Sequence, residues 1–176
     1  MPGVLQTPDF IAALISLTEP EGPLDFDPKK MTDARLQRVK SILRADGPSY
    51  EVVVDEVLIR RLTVPDEIMR AQLRHIIQTL DQESQLTFRV LPVNARLVGT
   101  LLPRSTFTLY TFPDGDDPPM AVVDTITTDL VYLEPREVER YTRRYEYLRQ
   151  AALSPEDGKM LLIEAAKEPN DQTGPP

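Results

Sequence analysis

The stretch from Val64 to Leu91, VPDEIMRAQLRHIIQTLDQESQLTFRVL, constrains this chain more than any other. Pro65, Asp66 and Glu67 are helix-opening residues: a proline tolerated in a first turn and acids that meet the positive end of the helix dipole. Met69, Leu73, Ile76, Ile77 and Leu80 then recur at helical spacing. Past the polar turn, Leu86, Phe88 and Val90 alternate with Thr87 and Arg89, the two-residue period of a strand with one buried face. A helix leading by a short turn into such a strand must bury both apolar faces against each other or against something else. Leu73 and Ile76 are therefore expected to pack onto Phe88 and Val90.

Upstream, Thr7-Pro8-Asp9 reads as a helix start, followed by an apolar stripe of Phe10, Ile11, Leu14 and Ile15. Glu19 to Lys30 is rich in proline and aspartate and reads as a loop. A second helix is expected from Thr32, with Met31 and Leu36 as a hydrophobic staple, Val39 and Leu43 continuing its stripe, and Gly47 as its stop. Tyr50 to Ile59, with three consecutive valines, is the first strand candidate.

Downstream of a loop from Pro92 to Pro103, strands are expected at Phe107–Phe112, Met120–Ile126 and Leu130–Leu133. The turn Pro113-Asp114-Gly115-Asp116-Asp117-Pro118-Pro119 separates the first two and Thr127-Thr128-Asp129 the last two. Pro135 opens another helix with Val138, Tyr141, Tyr145 and Leu148 on its buried edge, and Ser154-Pro155-Glu156-Asp157 caps the next. The order of elements predicts an α+β fold: about five strands in one mostly antiparallel sheet, flanking helices, two helices at each end of the chain. The last three strands are joined by turns too short for crossovers and should be antiparallel, whereas the first two flank a helix and can be parallel. Residues 1–167 read as one domain, and the tail 168–176, EPNDQTGPP, as disordered.

Composition narrows the function classes. The chain has 176 residues, 41% hydrophobic and 27% charged, within the usual range for a globular domain. No apolar run approaches the roughly 20 residues of a membrane span, and Phe10 to Leu17 lacks the basic leader of a signal peptide, so neither is expected. The absence of cysteine excludes disulfides, thiolate nucleophiles and cysteine metal sites, and fits a reducing cytoplasm, the expected location. A net charge of −8 argues against this chain alone gripping a phosphate backbone.

Individual candidates are modest. His75, the single histidine, has no partner for metal binding and no nucleophile turn to serve, and reads as a surface or edge residue. Asp114, Asp116 and Asp117 can in principle hold a hard cation, but the loop reads as a hairpin turn. Arg136, Arg140, Arg143 and Arg144, interleaved with Glu137, Glu139 and Glu146, read as a salt-bridged helix face. The strands hold a subtler signal. Thr87, Arg89, Thr108, Tyr110 and Asp124 fall opposite the core-facing positions and form a mixed surface, in which arginine and tyrosine are types favoured at interfaces. These five are the expected partner- or ligand-binding residues. No catalytic residue, metal ligand or cofactor site is expected.

Four segments match one family in order and spacing: Pro2-Gly3-Val4-Leu5-Gln6-Thr7-Pro8-Asp9-Phe10; Met69-Arg70-Ala71-Gln72-Leu73 leading to Val90-Leu91-Pro92; Phe107-Thr108-Leu109 with Phe112-Pro113-Asp114; and Tyr132-Leu133-Glu134 through Tyr141 to Ala152-Leu153-Ser154-Pro155-Glu156. The chain resembles the uncharacterised domain that follows the helix-turn-helix in many actinomycete Xre-type transcriptional regulators, some described as antitoxin-like. Thr127-Thr128-Asp129 stands where that family tends to carry a glycine turn. Met1 directly precedes Pro2, so the helix-turn-helix is not in this sequence, and a fragment, a misplaced start and a stand-alone relative are all open. The resemblance implies a non-catalytic regulatory domain that binds a protein partner or small effector, with a homodimer as a candidate assembly and DNA met only through the helix-turn-helix. Two other readings stand beside it: a small-molecule sensor with a pocket between sheet and helices, and an enzyme using carboxylate acid–base chemistry.

Overall fold

The computed structural model describes residues 1–18, 27–61, 63–97, 105–114, 116–125 and 128–167. The expected disordered tail, 168–176, lies outside them, as do most of the loop from Glu19 to Lys30 and part of that from Pro92 to Pro103. The chain divides into two compact units. One comprises Met1–Val93 and the stretch beginning at Leu153; the other is Asn94–Ala152.

The first unit opens with a 3-10 turn, Gly3–Leu5, and α1, Pro8–Thr18. The Thr7 hydroxyl accepts from the Phe10 amide at 3.2 Å, the cap expected from the sequence. α2 spans Pro28–Ile42 and begins four residues before the expected Thr32. Asp27 caps it by accepting from the amides of Lys29 and Lys30, and this cap takes precedence over the Met31 staple. Gly47 follows in a turn so tight that a β-carbon there would sit 2.2 Å from the Ile42 carbonyl oxygen. β1 is Tyr50–Asp55, shorter than expected, because the Asp55 carboxylate accepts from the Val57 amide and starts a four-residue helix, α3, Val57–Arg60. α4, Asp66–Gln82, and β2, Leu86–Leu91, lie where the sequence placed them.

β1 and β2 pair in parallel, with Val52 beside Phe88 and Val54 beside Val90. Leu73, Ile76, Phe88 and Val90 are almost wholly buried in one cluster with Leu5, Phe10 and Leu162, so the expected helix-on-strand core is present. α6, Pro155–Ala165, supplies Leu162, and the Ser154 hydroxyl caps it at the Asp157 amide.

The second unit holds β3, Phe107–Tyr110, β4, Met120–Asp124, β5, Asp129–Tyr132, and α5, Pro135–Ala151. The strands form an antiparallel sheet in the order β3-β4-β5. Ala121 and Val123 are buried on the face that α5 covers, where the Tyr141 ring lies 5.3 Å from Phe107 and 5.4 Å from Tyr132.

The fold is α+β as expected, with two helices at each end of the chain, but the single five-stranded sheet is not formed. Among the described residues there are two sheets, one of two parallel strands and one of three antiparallel strands. The reason lies along β2. Carbonyls of Gln85 and Leu91 serve Tyr50 and Glu56 at the two ends of β1. Val90, out of step with these, accepts from the Leu153 amide at 2.8 Å. α6 runs so near that a β-carbon on Gly158 would lie 3.3 Å from the Val90 nitrogen. The returning chain thus occupies the side of β2 that a third strand would need.

Candidate functional site

Two sets of expected site residues fall in different sheets. Thr87 and Arg89 belong to β2, and Thr108, Tyr110 and Asp124 to β3 and β4. The shared sheet face assumed for Arg89 and Tyr110 is therefore corrected: each lies in its own sheet and its own unit.

Arg89 is engaged within its unit. Its Nε donates to Glu51 Oε1 at 2.7 Å across the β1–β2 ladder, and Nη1 donates to the Leu153 carbonyl at 3.3 Å. Its side chain is 18% exposed and that of Glu51 27%. The planar fork of a guanidinium suits this double task, tying both strands to the chain that returns beside them.

On the three-stranded sheet, Thr108 is opposite Val122 and Val122 opposite Val131; Tyr110 is opposite Met120, and Asp124 opposite Asp129. Because cross-strand partners share a face, these residues line the side away from α5. Thr108, Met120 and Val122 are half-buried there, Tyr110 is 40% exposed and Val131 58%. Phe112 and Leu133 are exposed just beyond the strand ends. Thr108, Tyr110 and Asp124 thus share a face whose character is apolar and aromatic, ending in a pair of aspartates.

The remaining candidates resolve simply. Arg140 pairs with Glu137 and Arg143 with Glu139, at 3.1 and 3.2 Å, along the exposed side of α5. Asp114 accepts from the amides of Asp116 and Asp117, closing a turn, and Gly115 lies outside the described residues. Among the described residues no group of three or more histidine or acidic side chains is placed to hold a metal. His75 is half-buried on α4, and burial lowers its pKa. An open groove of about 470 Å³ lies between α1 and the start of α4, lined by Asp9, Ala12, Ala13, Ser16, Pro65 and Ile68. Arg89, in the same unit, is not among its lining residues.

Three polar residues escaped the sequence reading. Gln72 is fully buried on α4; its Nε2 donates to the Leu5 carbonyl and its Oε1 accepts from the Thr7 amide at 2.7 Å. Gln6 is buried beside it, donating to the Met1 carbonyl and accepting from Arg35 of α2. Glu56 is buried between β1 and α3, accepting from Arg60 at 2.5 Å and from the Val93 amide at 2.9 Å. These donors, Arg60 foremost, hold its carboxyl below the usual range although burial pulls the other way. The signal for Gln72 was its spacing. With Met69, Ile76 and Thr79 it falls on the buried side of the helix, and a polar residue there requires partners.

Fold and geometry together define an α+β module with one sheet in each unit, whose buried polar groups join its own elements and whose second sheet leaves one face open. The family described as "Domain of unknown function (DUF5753)" matches residues 1–164, and the chain belongs to that family. Gln72 and the Leu5-Gln6-Thr7 segment that it grips lie within the match. Comparison with curated proteins and comparison with solved structures each give no match. Among the described residues no helix is long and apolar enough to cross a membrane.

Proposed function

We propose that the chain is a non-catalytic regulatory domain that binds a partner protein, the counterpart of the effector half of Xre-type transcriptional regulators. DNA contact, in this reading, belongs to a helix-turn-helix module. One observation carries the proposal: the face of the β3-β4-β5 sheet away from α5 presents Tyr110 and Val131 to solvent, with Phe112 and Leu133 exposed at its margins. A ring that is apolar on its faces and polar at its tip, set among exposed aliphatics, supports protein docking. Tyr110 is the anchor in this reading, Thr108 and Asp124 flank it, and Arg89 and Thr87 support the fold of the other unit.

The test is calorimetry against a partner captured from the native host. Tyr110→Ala should weaken binding by more than about 1 kcal/mol, the lower bound for an anchor residue. Its effect on stability should stay within about 0.5 kcal/mol, as for exposed positions. Undiminished affinity with an intact fold would remove this face from the binding surface.

A further inference from the structure

The open face does not say how a partner is held; the edge of the same sheet does. Among the described residues β5 is an outer strand, and its ladder to β4 fixes which of its backbone groups are used. The Thr125 amide donates to the Thr128 carbonyl, so the opposed pair 125 and 128 is hydrogen-bonded. Antiparallel pairs alternate. Leu130 and Tyr132 therefore direct their amides and carbonyls into β4, while Asp129 and Val131 direct theirs outward. No proline, no lysine and no bulge lies within Asp129–Tyr132, and the strand's protection is its shortness and the charge of Asp129 at its start. Its side chains are exposed on both faces of the sheet, Leu130 at 42% on the α5 side and Val131 at 58% on the other.

The charges around this edge select its occupant. Asp129 begins the strand, Asp124 lies opposite it, and the exposed Glu134 follows the strand's end. β3, β4 and β5 contain no lysine or arginine. A second copy paired antiparallel about Val131 would set Asp129 against Leu133 and bring it beside Glu134 of the other copy, at both ends, in a chain of net charge −8. Like charges so placed oppose self-pairing. A basic segment with apolar residues at alternate positions sets its apolar face beside Val131 and its cations on the other face, toward Glu134, within an acidic surround.

We infer that the outward edge of β5, at Val131, takes up an extended basic segment of a partner protein as a fourth strand. This rests on the reading of the second sheet as the interaction surface and specifies how the partner enters. Main-chain bonds at Val131 hold the segment, its apolar side chains lie on the face of Val131, and its cations lie on the face of Leu130, toward Glu134.

The probe is a synthetic seven-residue peptide alternating lysine and valine, with a control of equal charge whose central valine is proline. Fluorescence polarisation near physiological salt should show the alternating peptide binding at least about tenfold more tightly than the control, because proline cannot complete the ladder. Val131→Pro removes an outward amide and leaves the β4 ladder untouched, so it should abolish this preference with the circular dichroism spectrum unchanged. In the unaltered chain, the peptide should slow hydrogen exchange at the Val131 amide, a readout needing no variant. Equal binding of both peptides, no binding, or no protection at Val131 overturns the proposal. A loss on Tyr110→Ala with none on Val131→Pro would keep the face as the binding surface and remove the edge; silence of both variants would remove both. A doubling of mass on light scattering, reversed by Val131→Pro, would assign the edge to a second copy instead.

Discussion

Gln72 illustrates how one side chain can hold a segment that has no regular structure of its own. The backbone around Leu5 and Thr7 leaves the 3-10 turn before α1 begins, so its carbonyl and amide need partners from elsewhere. One amide side chain supplies both. Gln72→Ala would orphan the buried Leu5 carbonyl and the half-buried Thr7 amide and leave a void. We expect a loss of about 2–4 kcal/mol in urea denaturation, combining unsatisfied polar groups with a cavity. Gln72→Glu keeps the acceptor for Thr7 but turns an acceptor toward Leu5, so its cost should grow as the pH rises and the carboxyl ionises. Glu56 gives the opposite dependence. Its folded pKa is depressed, so its contribution is complete above the ordinary value of 4.5 and is lost as the pH falls through the folded value. Glu56→Gln should lower stability at pH 7 by about 1.5–3 kcal/mol, the range for hydrogen bonds to a charged group, and should flatten the acid limb of a stability–pH curve. An unchanged acid limb would mean that other carboxylates govern it. His75 acts in a higher window: burial favours its neutral form, so its share declines as the pH falls through 6.5.

At the scale of elements, β2 and α6 meet where a glycine permits it. Gly158→Val should cost about 1–3 kcal/mol, because the branched side chain would press on the Val90 backbone rather than on a yielding side chain. Gly158→Ala should be near neutral, since the roughly 1 kcal/mol gained in helix propensity offsets a 3.3 Å contact. Thermal melts of the two variants distinguish this packing from a simple helix-propensity effect, which would make both stabilising. Local pattern made most elements legible: α4 and β2 by their periods, α1 and α6 by their caps. α2 was placed late because the Asp27 cap competed with a staple that looked equally good in sequence. The split into two sheets was not legible, because nothing in the alternation of β2 shows that its free side will receive Leu153 and α6 rather than β3. The expected site was half legible for the same reason. Thr108, Tyr110 and Asp124 share a face by strand period alone, whereas joining Arg89 to them required a sheet order that sequence does not encode locally.

At the scale of the whole molecule, charge decides what a first encounter can be. A chain of net charge −8 repels a phosphate backbone at long range. A polarisation titration with duplex DNA near physiological salt should therefore show no sequence preference, and nanomolar, sequence-dependent affinity would contradict this picture. The way the first unit is assembled has a temporal consequence as well. A ribosome making this chain releases β1, α4 and β2 early, then all of Asn94–Ala152, and only afterwards the helix that brings Leu162 against Phe88 and Val90. Until then the first unit has an unfilled flank, and the second, whose contacts are all closer in sequence, can close without waiting. Closing so long a loop is the slow kind of step, since its entropy is lost before the contact forms. The nascent protein thus passes through an interval in which its later half is finished and its earlier half is still open.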